Sequence, residues 1–187
     1  MPRSFLFTKE EITRAALELT RERGFSAISA RTLGEKLGTS SRPIFSQFKN
    51  MEEVQRSVIE AADGIYNNYI ASGMADGRYP PYKASGMAYI RFAREEKELF
   101  KLLFMRDRSG EKITENREQI RPLIELIMRQ CGISEDDAYR FHLEEWIYVH
   151  GIATMIATSY LEWDEEMVST MLTDSFTGLK LRYTAKN

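Results

Sequence analysis

The fold is decided by residues 29–48, which read SARTLGEKLGTSSRPIFSQF. Apolar residues recur at helical spacing before and after Gly38, which predicts two short helices joined by a turn. Gly38 can adopt a positive φ angle at little cost, so the chain can reverse tightly there. Gly34 lacks a side chain, which lets the two helices approach closely. This stretch is therefore predicted to form a helix-turn-helix.

The second helix of such a pair can enter the major groove of DNA with its first residues at the base edges. We predict that Arg42 and Gln47 face outward, where arginine can pair with guanine and glutamine with adenine. Hydroxyl groups and Lys49 can reach phosphates. Arg42 could equally bond a neighbouring carboxylate. The predicted DNA-binding residues are Ser29, Arg31, Thr39, Ser40, Ser41, Arg42, Pro43, Phe45, Ser46, Gln47 and Lys49.

Helical periodicity continues on both sides of this stretch and predicts an all-α protein of about nine helices. Ile12, Ala16 and Leu19 lie on one face of a first helix, which Thr8 can cap and Gly24 can end. Further helices are predicted at about residues 52–72, 83–95, 97–106, 116–131, 135–160 and 164–183. We predict a DNA-binding domain at residues 1–50 and a helical effector-binding and dimerisation domain at residues 51–187.

Charge is distributed unevenly along the 187 residues. Residues 1–50 carry nine Lys/Arg and five Asp/Glu, whereas the rest carry 17 and 23, as expected if the first part meets a polyanion. One cysteine, Cys131, excludes an internal disulfide framework and a multi-cysteine metal site, and fits a reducing cytoplasm. We expect no secretory signal, no membrane span, no metal, no cofactor and no catalytic residues.

The pattern resembles the TetR family of bacterial regulators. The matching residues are Ile12, Ala15, Ala16, Leu19, Gly24, Phe25, Leu33, Leu37, Gly38, Thr39, Ser40, Ile44, Phe45, Phe48, Lys49, Asn50 and Val54. This resemblance implies a dimeric repressor of a double-stranded, palindromic DNA operator, released by a small-molecule effector. Two residues depart from the family: Phe45 replaces a tyrosine and Met51 replaces a lysine, and both changes remove a phosphate contact.

The C-terminal part resembles one branch of the family that carries a W..-HG signature, here Trp146 to Gly151. In this family the part binds an effector and dimerises, usually through the last two helices. Aromatic residues predict a pocket for an apolar or aromatic effector, although ordinary core packing explains most of them equally well. The predicted pocket residues are Tyr89, Phe92, Phe100, Phe104, Trp146 and His150. The predicted dimer-interface residues are Gly151, Thr154, Thr158, Val168, Met171, Leu172 and Phe176.

Two other functions stay open from the sequence. The protein could be an adaptor that recruits a partner protein and needs no small molecule. It could also be a helical small-molecule-binding protein or enzyme without a role on DNA. No phosphate-binding loop, nucleophile elbow or catalytic triad is recognisable in the sequence, which favours the regulator.

Overall fold

The computed structural model describes residues 6–109 and 117–185, and this part of the chain is helical without β-strands. The predicted fold class is therefore confirmed. Nine α-helices occur in the described ranges: α1 Lys9–Arg23, α2 Ala30–Lys36, α3 Arg42–Gln47, α4 Met51–Ala75, α5 Pro81–Glu95, α6 Lys97–Phe104, α7 Arg117–Cys131, α8 Glu135–Ala157 and α9 Glu165–Thr184.

Local capping signals explain where several helices begin. The side chain of Thr8 accepts a hydrogen bond from the Glu11 N–H, and the Thr8 N–H donates to the Glu11 carboxylate at 2.8 Å, which forms a capping box at α1. The side chains of Ser134 and Asp164 cap α8 and α9 in a similar way. These side chains satisfy N–H groups that a helix leaves without partners at its start.

Helix α8 ends earlier than the sequence pattern predicts. The helix stops at Ala157, whereas the pattern extends to residue 160. Ser159 adopts a left-handed conformation with φ 54°, and the Tyr160 N–H donates to the Met155 carbonyl at 2.9 Å. The chain thus closes the helix end with backbone hydrogen bonds, which periodicity alone does not reveal.

The described residues form two compact units. The first lies within Met1–Asn67 and Glu96–Arg106, and the second within Asn68–Glu95 and Asp107–Asn187. The first unit extends past the predicted boundary at residue 50, because the Val54, Val58 and Ala62 side chains of α4 are fully buried. Helix α6 also belongs to the first unit.

Each unit has its own apolar core. The first buries side chains from α1 to α4 and from α6, namely Ile12, Leu19, Leu33, Ile44, Phe48, Val54, Leu99 and Phe100. In the second unit a cluster joins α5, α7, α8 and α9 through Tyr82, Ile124, Ile127, Cys131, Ile133, Ala138, Phe141 and Tyr183. Burial of this apolar surface is the main force that holds the helices together.

Candidate functional site

Helix α3 is held by its apolar side against the rest of the first unit. Ile44 is fully buried and Phe48 is 3% exposed, and Leu33 of α2 is also buried. The Thr39 N–H donates to the Gly34 carbonyl at 2.9 Å, which closes the turn between α2 and α3. Gly38 has φ +67° in this turn. The opposite side of α3 is consequently left at the surface.

Arg42, Phe45, Ser46 and Lys49 are exposed on or next to α3, with 46% of the Phe45 surface accessible. Among the described residues, no carboxylate forms a salt bridge with Arg42. The guanidinium group of Arg42 is thus available to a ligand outside the chain. Phe45 adds an apolar ring to the same exposed helix.

Two of the predicted contact side chains on α3 bond to backbone carbonyls of the chain. The Gln47 side-chain amide donates to the Phe7 carbonyl at 2.9 Å, and Gln47 is only half-exposed. This differs from the predicted outward position, because the segment before α1 supplies a carbonyl within reach. The Ser46 hydroxyl donates to the Pro43 carbonyl at 2.6 Å, so its hydrogen bond lies within its own helix.

The other predicted contact residues lie at the start of α2 and around the turn. Ser29 caps α2, with its hydroxyl oxygen accepting from the Thr32 N–H at 3.1 Å. Arg31 forms an exposed ion pair with Glu35 at 3.0 Å, a contact of little energetic value. Thr39, Ser40, Ser41 and Pro43 occupy the turn and the first turn of α3. The Ser40 hydroxyl oxygen accepts a hydrogen bond from the Arg42 N–H at 3.4 Å.

The six predicted pocket residues are divided between the two units. Phe100 and Phe104 lie in the first unit, where their ring centroids are 5.2 Å apart. Tyr89, Phe92, Trp146 and His150 lie in the second. There the Tyr89 hydroxyl is 2.8 Å from His150 Nδ1, and the Trp146 indole stacks on the His150 ring. Trp146 is 42% exposed and Phe92 is fully buried, so these two lie at the surface and in the core respectively.

A second tyrosine–histidine pair lies deeper in the same unit. The Tyr82 hydroxyl is 3.0 Å from His142 Nδ1. Burial lowers the pKa of His142 to about 4 and raises the pKa of Tyr82 well above its usual value. Burial also raises the pKa of Glu145, which accepts a hydrogen bond from the Ser175 hydroxyl at 2.8 Å. A neutral His142 can accept a hydrogen bond at Nδ1 from the Tyr82 hydroxyl, so this contact needs no ligand.

Three predicted dimer-interface residues pack against their own chain, two of them fully. Val168 is 1% exposed and Leu172 is 3% exposed, and the Phe176 ring packs on Phe141 at a centroid distance of 5.1 Å. Gly86 of α5 lies against Leu172, since a Cβ atom there would be 3.2 Å from Leu172 Cδ1. Val168 and Leu172 are buried within one chain, so they do not offer a surface to a second copy. Phe176 is only half-buried, and its place at an interface stays a prediction.

The outer sides of α8 and α9 carry a different set of residues. Ile147 is 65% exposed, Met155 38%, Met167 51% and Leu181 66%. Gly151, Thr154, Thr158 and Met171, also predicted for the interface, are half-buried or exposed. We call this surface the outer face; its residues are Ile147, Gly151, Thr154, Met155, Thr158, Met167, Met171, Gly178 and Leu181. Because these residues recur three and four positions apart, the sequence places them on one side of each helix. It does not show that this side is exposed.

The second unit also holds a cavity of about 260 Å3 that the sequence did not predict. None of the six predicted pocket residues lines it. Its lining comes from the end of α4, the following loop, α5 and the start of α9. Arg91 and Arg94 line this cavity three residues apart on α5. In the sequence, this cavity is indicated only by two arginines three residues apart on a helix with many apolar residues.

Other kinds of site are not found among the described residues. No group of three or more His, Cys, Asp or Glu side chains there could hold a metal ion. None of the described helices combines the length and apolar character needed to span a bilayer.

Comparison with known proteins identifies both parts of the chain. The family model described as "Bacterial regulatory proteins, tetR family" matches residues 12–58. The model described as "Tetracyclin repressor-like, C-terminal domain" matches residues 82–176. No curated protein matches significantly. A crystal structure of a TetR variant from Acinetobacter baumannii AYE in complex with minocycline is 15% identical, with a TM-score of 0.46, covering 95% of this chain and 92% of that chain.

The two family models together cover the helix-turn-helix and most of the second unit. They indicate a transcription factor that binds DNA and not an enzyme. The chain therefore belongs to the TetR family of DNA-binding transcriptional regulators.

Proposed function

We propose that the protein is a homodimeric repressor that binds a palindromic operator and leaves it when a small effector binds the second unit. It would act in the cytoplasm, where bacterial DNA is found. The main support for this proposal is the exposed apolar outer face. The first unit of the same chain exposes Arg42 and Phe45 on α3, where they can contact DNA.

A second copy of the chain is the occupant that best suits the outer face. Ile147 and Leu181 are large apolar side chains that are each about two-thirds exposed, at 65% and 66%. A Cβ atom at Gly151 or Gly178 would meet nothing within 4 Å, so both positions leave room for another helix. Two helices from each copy would form a four-helix interface with two-fold symmetry.

Two-fold symmetry also suits the DNA. One helix-turn-helix covers one half-site, and a symmetric dimer presents two such modules to an inverted repeat. Each module alone offers few polar groups to the bases. A dimer would gain affinity because the second contact becomes intramolecular.

Selection of duplexes from a random-sequence library, followed by fluorescence anisotropy, tests the DNA part of the proposal. We expect the selected duplexes to contain an inverted repeat and to bind with an affinity that falls as salt rises. Selection of a single unrepeated site, or binding without sequence preference, would contradict the proposal.

Sedimentation analysis tests the dimer. The wild-type chain is expected to sediment as a dimer, whereas Ile147→Asp and Leu181→Asp should shift it to monomer because a charge would be buried in the interface. Met105→Asp is the control, since Met105 is 41% exposed but lies outside α8 and α9. A wild-type monomer, or dimers that persist in both variants, would refute this interface.

A further inference from the structure

The 260 Å3 cavity of the second unit is lined by both apolar and charged side chains. Its apolar lining comes from Ala84, Met87, Ala88, Ile90 and Val168. Three arginines and three carboxylates form the charged part: Arg78, Arg91, Arg94, Asp76, Glu95 and Glu165. Pockets for drug-sized ligands usually measure roughly 300–1,000 Å3, so this cavity, just below that range, suits a molecule smaller than a drug.

The carboxylates of the cavity already have partners. Arg78 Nη1 lies 2.7 Å from Glu165 Oε1, and its Nε is 4.0 Å from Asp76. These charges, first among them the hydrogen-bonded carboxylate of Glu165, raise the pKa of Arg78. The Tyr69 hydroxyl donates to Glu95 at 2.7 Å. The charge of Arg78 is therefore largely neutralised inside the chain.

Arg91 and Arg94 are different. Neither forms a salt bridge with any residue in the described part of the chain. Arg91 Nε is buried without a hydrogen-bond partner there, and the guanidinium carbon lies 5.3 Å from the centroid of the Tyr69 ring. Arg94 Nη2 donates to the Trp163 carbonyl at 2.7 Å, which anchors one side of its guanidinium. Both side chains are half-buried, so their positive charges are not fully solvated.

A half-buried guanidinium group that lacks a salt-bridge partner gains stability when an anion completes its hydrogen bonds. The planar fork of arginine matches the two oxygens of a carboxylate. Arg91 and Arg94 are three residues apart on α5 and therefore lie on the same side of the helix. Both line the same cavity, so an anion bound there would be attracted by both charges.

We propose that this cavity binds a small monocarboxylate, with the carboxylate held by Arg91 and Arg94 and a short apolar body against Met87, Ile90 and Val168. Its role as the effector site rests on the proposed function, whereas binding itself does not. A monoanion suits the cavity better than a phosphate dianion, because Asp76, Glu95 and Glu165 would repel a second negative charge.

The test uses calorimetry and thermal unfolding of the full chain with four organic probes and one ion. The probes are hexanoate and benzoate, their uncharged amides hexanamide and benzamide, and inorganic phosphate. We expect at least one of the two carboxylates to bind and to raise the melting temperature, while its amide binds at least about tenfold more weakly, the usual effect of losing a hydrogen bond to a charged group.

Variants locate the site. Arg91→Gln and Arg94→Gln should each weaken carboxylate binding about 10- to 100-fold. Arg129→Gln, an exposed arginine of α7, is the matched control and should leave binding unchanged. Arg94→Lys keeps the charge but removes the fork, so it should bind more weakly than wild type even if a glutamine variant does not fold.

Several outcomes would overturn the monocarboxylate site: equal binding of acid and amide, tighter binding of phosphate, unchanged binding in folded arginine variants, or no binding of either acid at millimolar concentration. DNA binding separates this from the proposed function. If an acid binds through Arg91 and Arg94 without lowering operator affinity, the site stands and the effector role fails. If another compound releases the DNA while neither acid binds, effector release stands and the monocarboxylate site fails.

Discussion

Few side chains of α3 are free to read bases. Arg42 has no salt-bridge partner among the described residues, and Phe45 is 46% exposed. Gln47 and Ser46 bond to backbone carbonyls of Phe7 and Pro43. Because Ser46 and Gln47 bond within the chain, Arg42 is the main polar side chain of α3 that remains available to contact a base.

We therefore expect Arg42→Ala and Gln47→Ala to differ. Losing an arginine pair to guanine costs about 1–3 kcal/mol, so Arg42→Ala should weaken binding to the selected operator several-fold or more and relax preference at one base pair. Gln47→Ala should change operator affinity little but lower the free energy of unfolding by about 1 kcal/mol, because the Phe7 carbonyl loses its donor. Anisotropy on operator variants and chemical denaturation measure both effects. A base-specific loss in Gln47→Ala alone would contradict this assignment.

The buried His142 predicts a pH dependence of stability. Its pKa falls from 6.5 to about 4 on folding, so the unfolded chain binds more protons between these values. The free energy of unfolding should therefore decrease as pH falls from about 6.5 towards 4, by up to about 3 kcal/mol from this group.

Glu145 acts in the opposite direction, because its raised pKa adds stability at low pH that is lost as pH rises through the folded value. The difference between wild type and His142→Gln isolates the histidine. Urea unfolding at pH 7 and pH 5 should show a smaller loss of stability on acidification in His142→Gln than in wild type. Equal effects in the two proteins would show that His142 does not titrate as described.

At the scale of the element, the turn between α2 and α3 depends on how closely two backbone segments approach. A Cβ atom at Gly34 would lie 3.0 Å from the Thr39 carbonyl oxygen and 3.3 Å from the Ser40 carbonyl carbon. Both neighbours are backbone atoms of the segment that leads into α3. They can move only if the position of that helix changes.

The same substitution should have opposite effects in two helices. Gly34→Ala should destabilise the protein by about 1–3 kcal/mol and weaken operator binding, because the added methyl displaces the turn. Gly64→Ala, in α4 where a Cβ meets nothing within 4 Å, should stabilise it by about 0.4–1 kcal/mol. Denaturant unfolding of the two variants measures the difference. Stabilisation by Gly34→Ala would show that the turn has room for a side chain.

At the scale of the whole molecule, operator binding should depend on the proposed dimer. If two copies join through the outer face, Ile147→Asp should lose most of its affinity for the full inverted repeat, because the second half-site contact no longer benefits from linkage. Its affinity for a duplex with one half-site should stay close to that of wild type. Anisotropy with both duplexes measures this, and Met105→Asp is again the control. Equal loss on both duplexes would indicate damage to the module instead.

Local signals explain why so much of the fold could be predicted. Thr8, Ser134 and Gly24 mark helix ends through contacts with residues no more than four positions away. Apolar spacing then gives the buried side of each helix in outline. The candidate DNA interface was predicted for the same reason, since its turn and helix lie within 20 consecutive residues.

The helices, their order and the family could be predicted from the amino-acid sequence, because capping, turns and periodicity act over a few residues. Which residues remain available to a ligand or a second copy depends on long-range packing. Gln47 bonds Phe7, 40 positions away, and Val168 and Leu172 are buried within one chain instead of facing a second copy. The cavity beside Arg91 and Arg94 likewise forms where α5 meets segments distant in sequence. Such contacts depend on how the helices pack. Apolar periodicity predicts which side of a helix is buried, but it does not predict which element packs against that side.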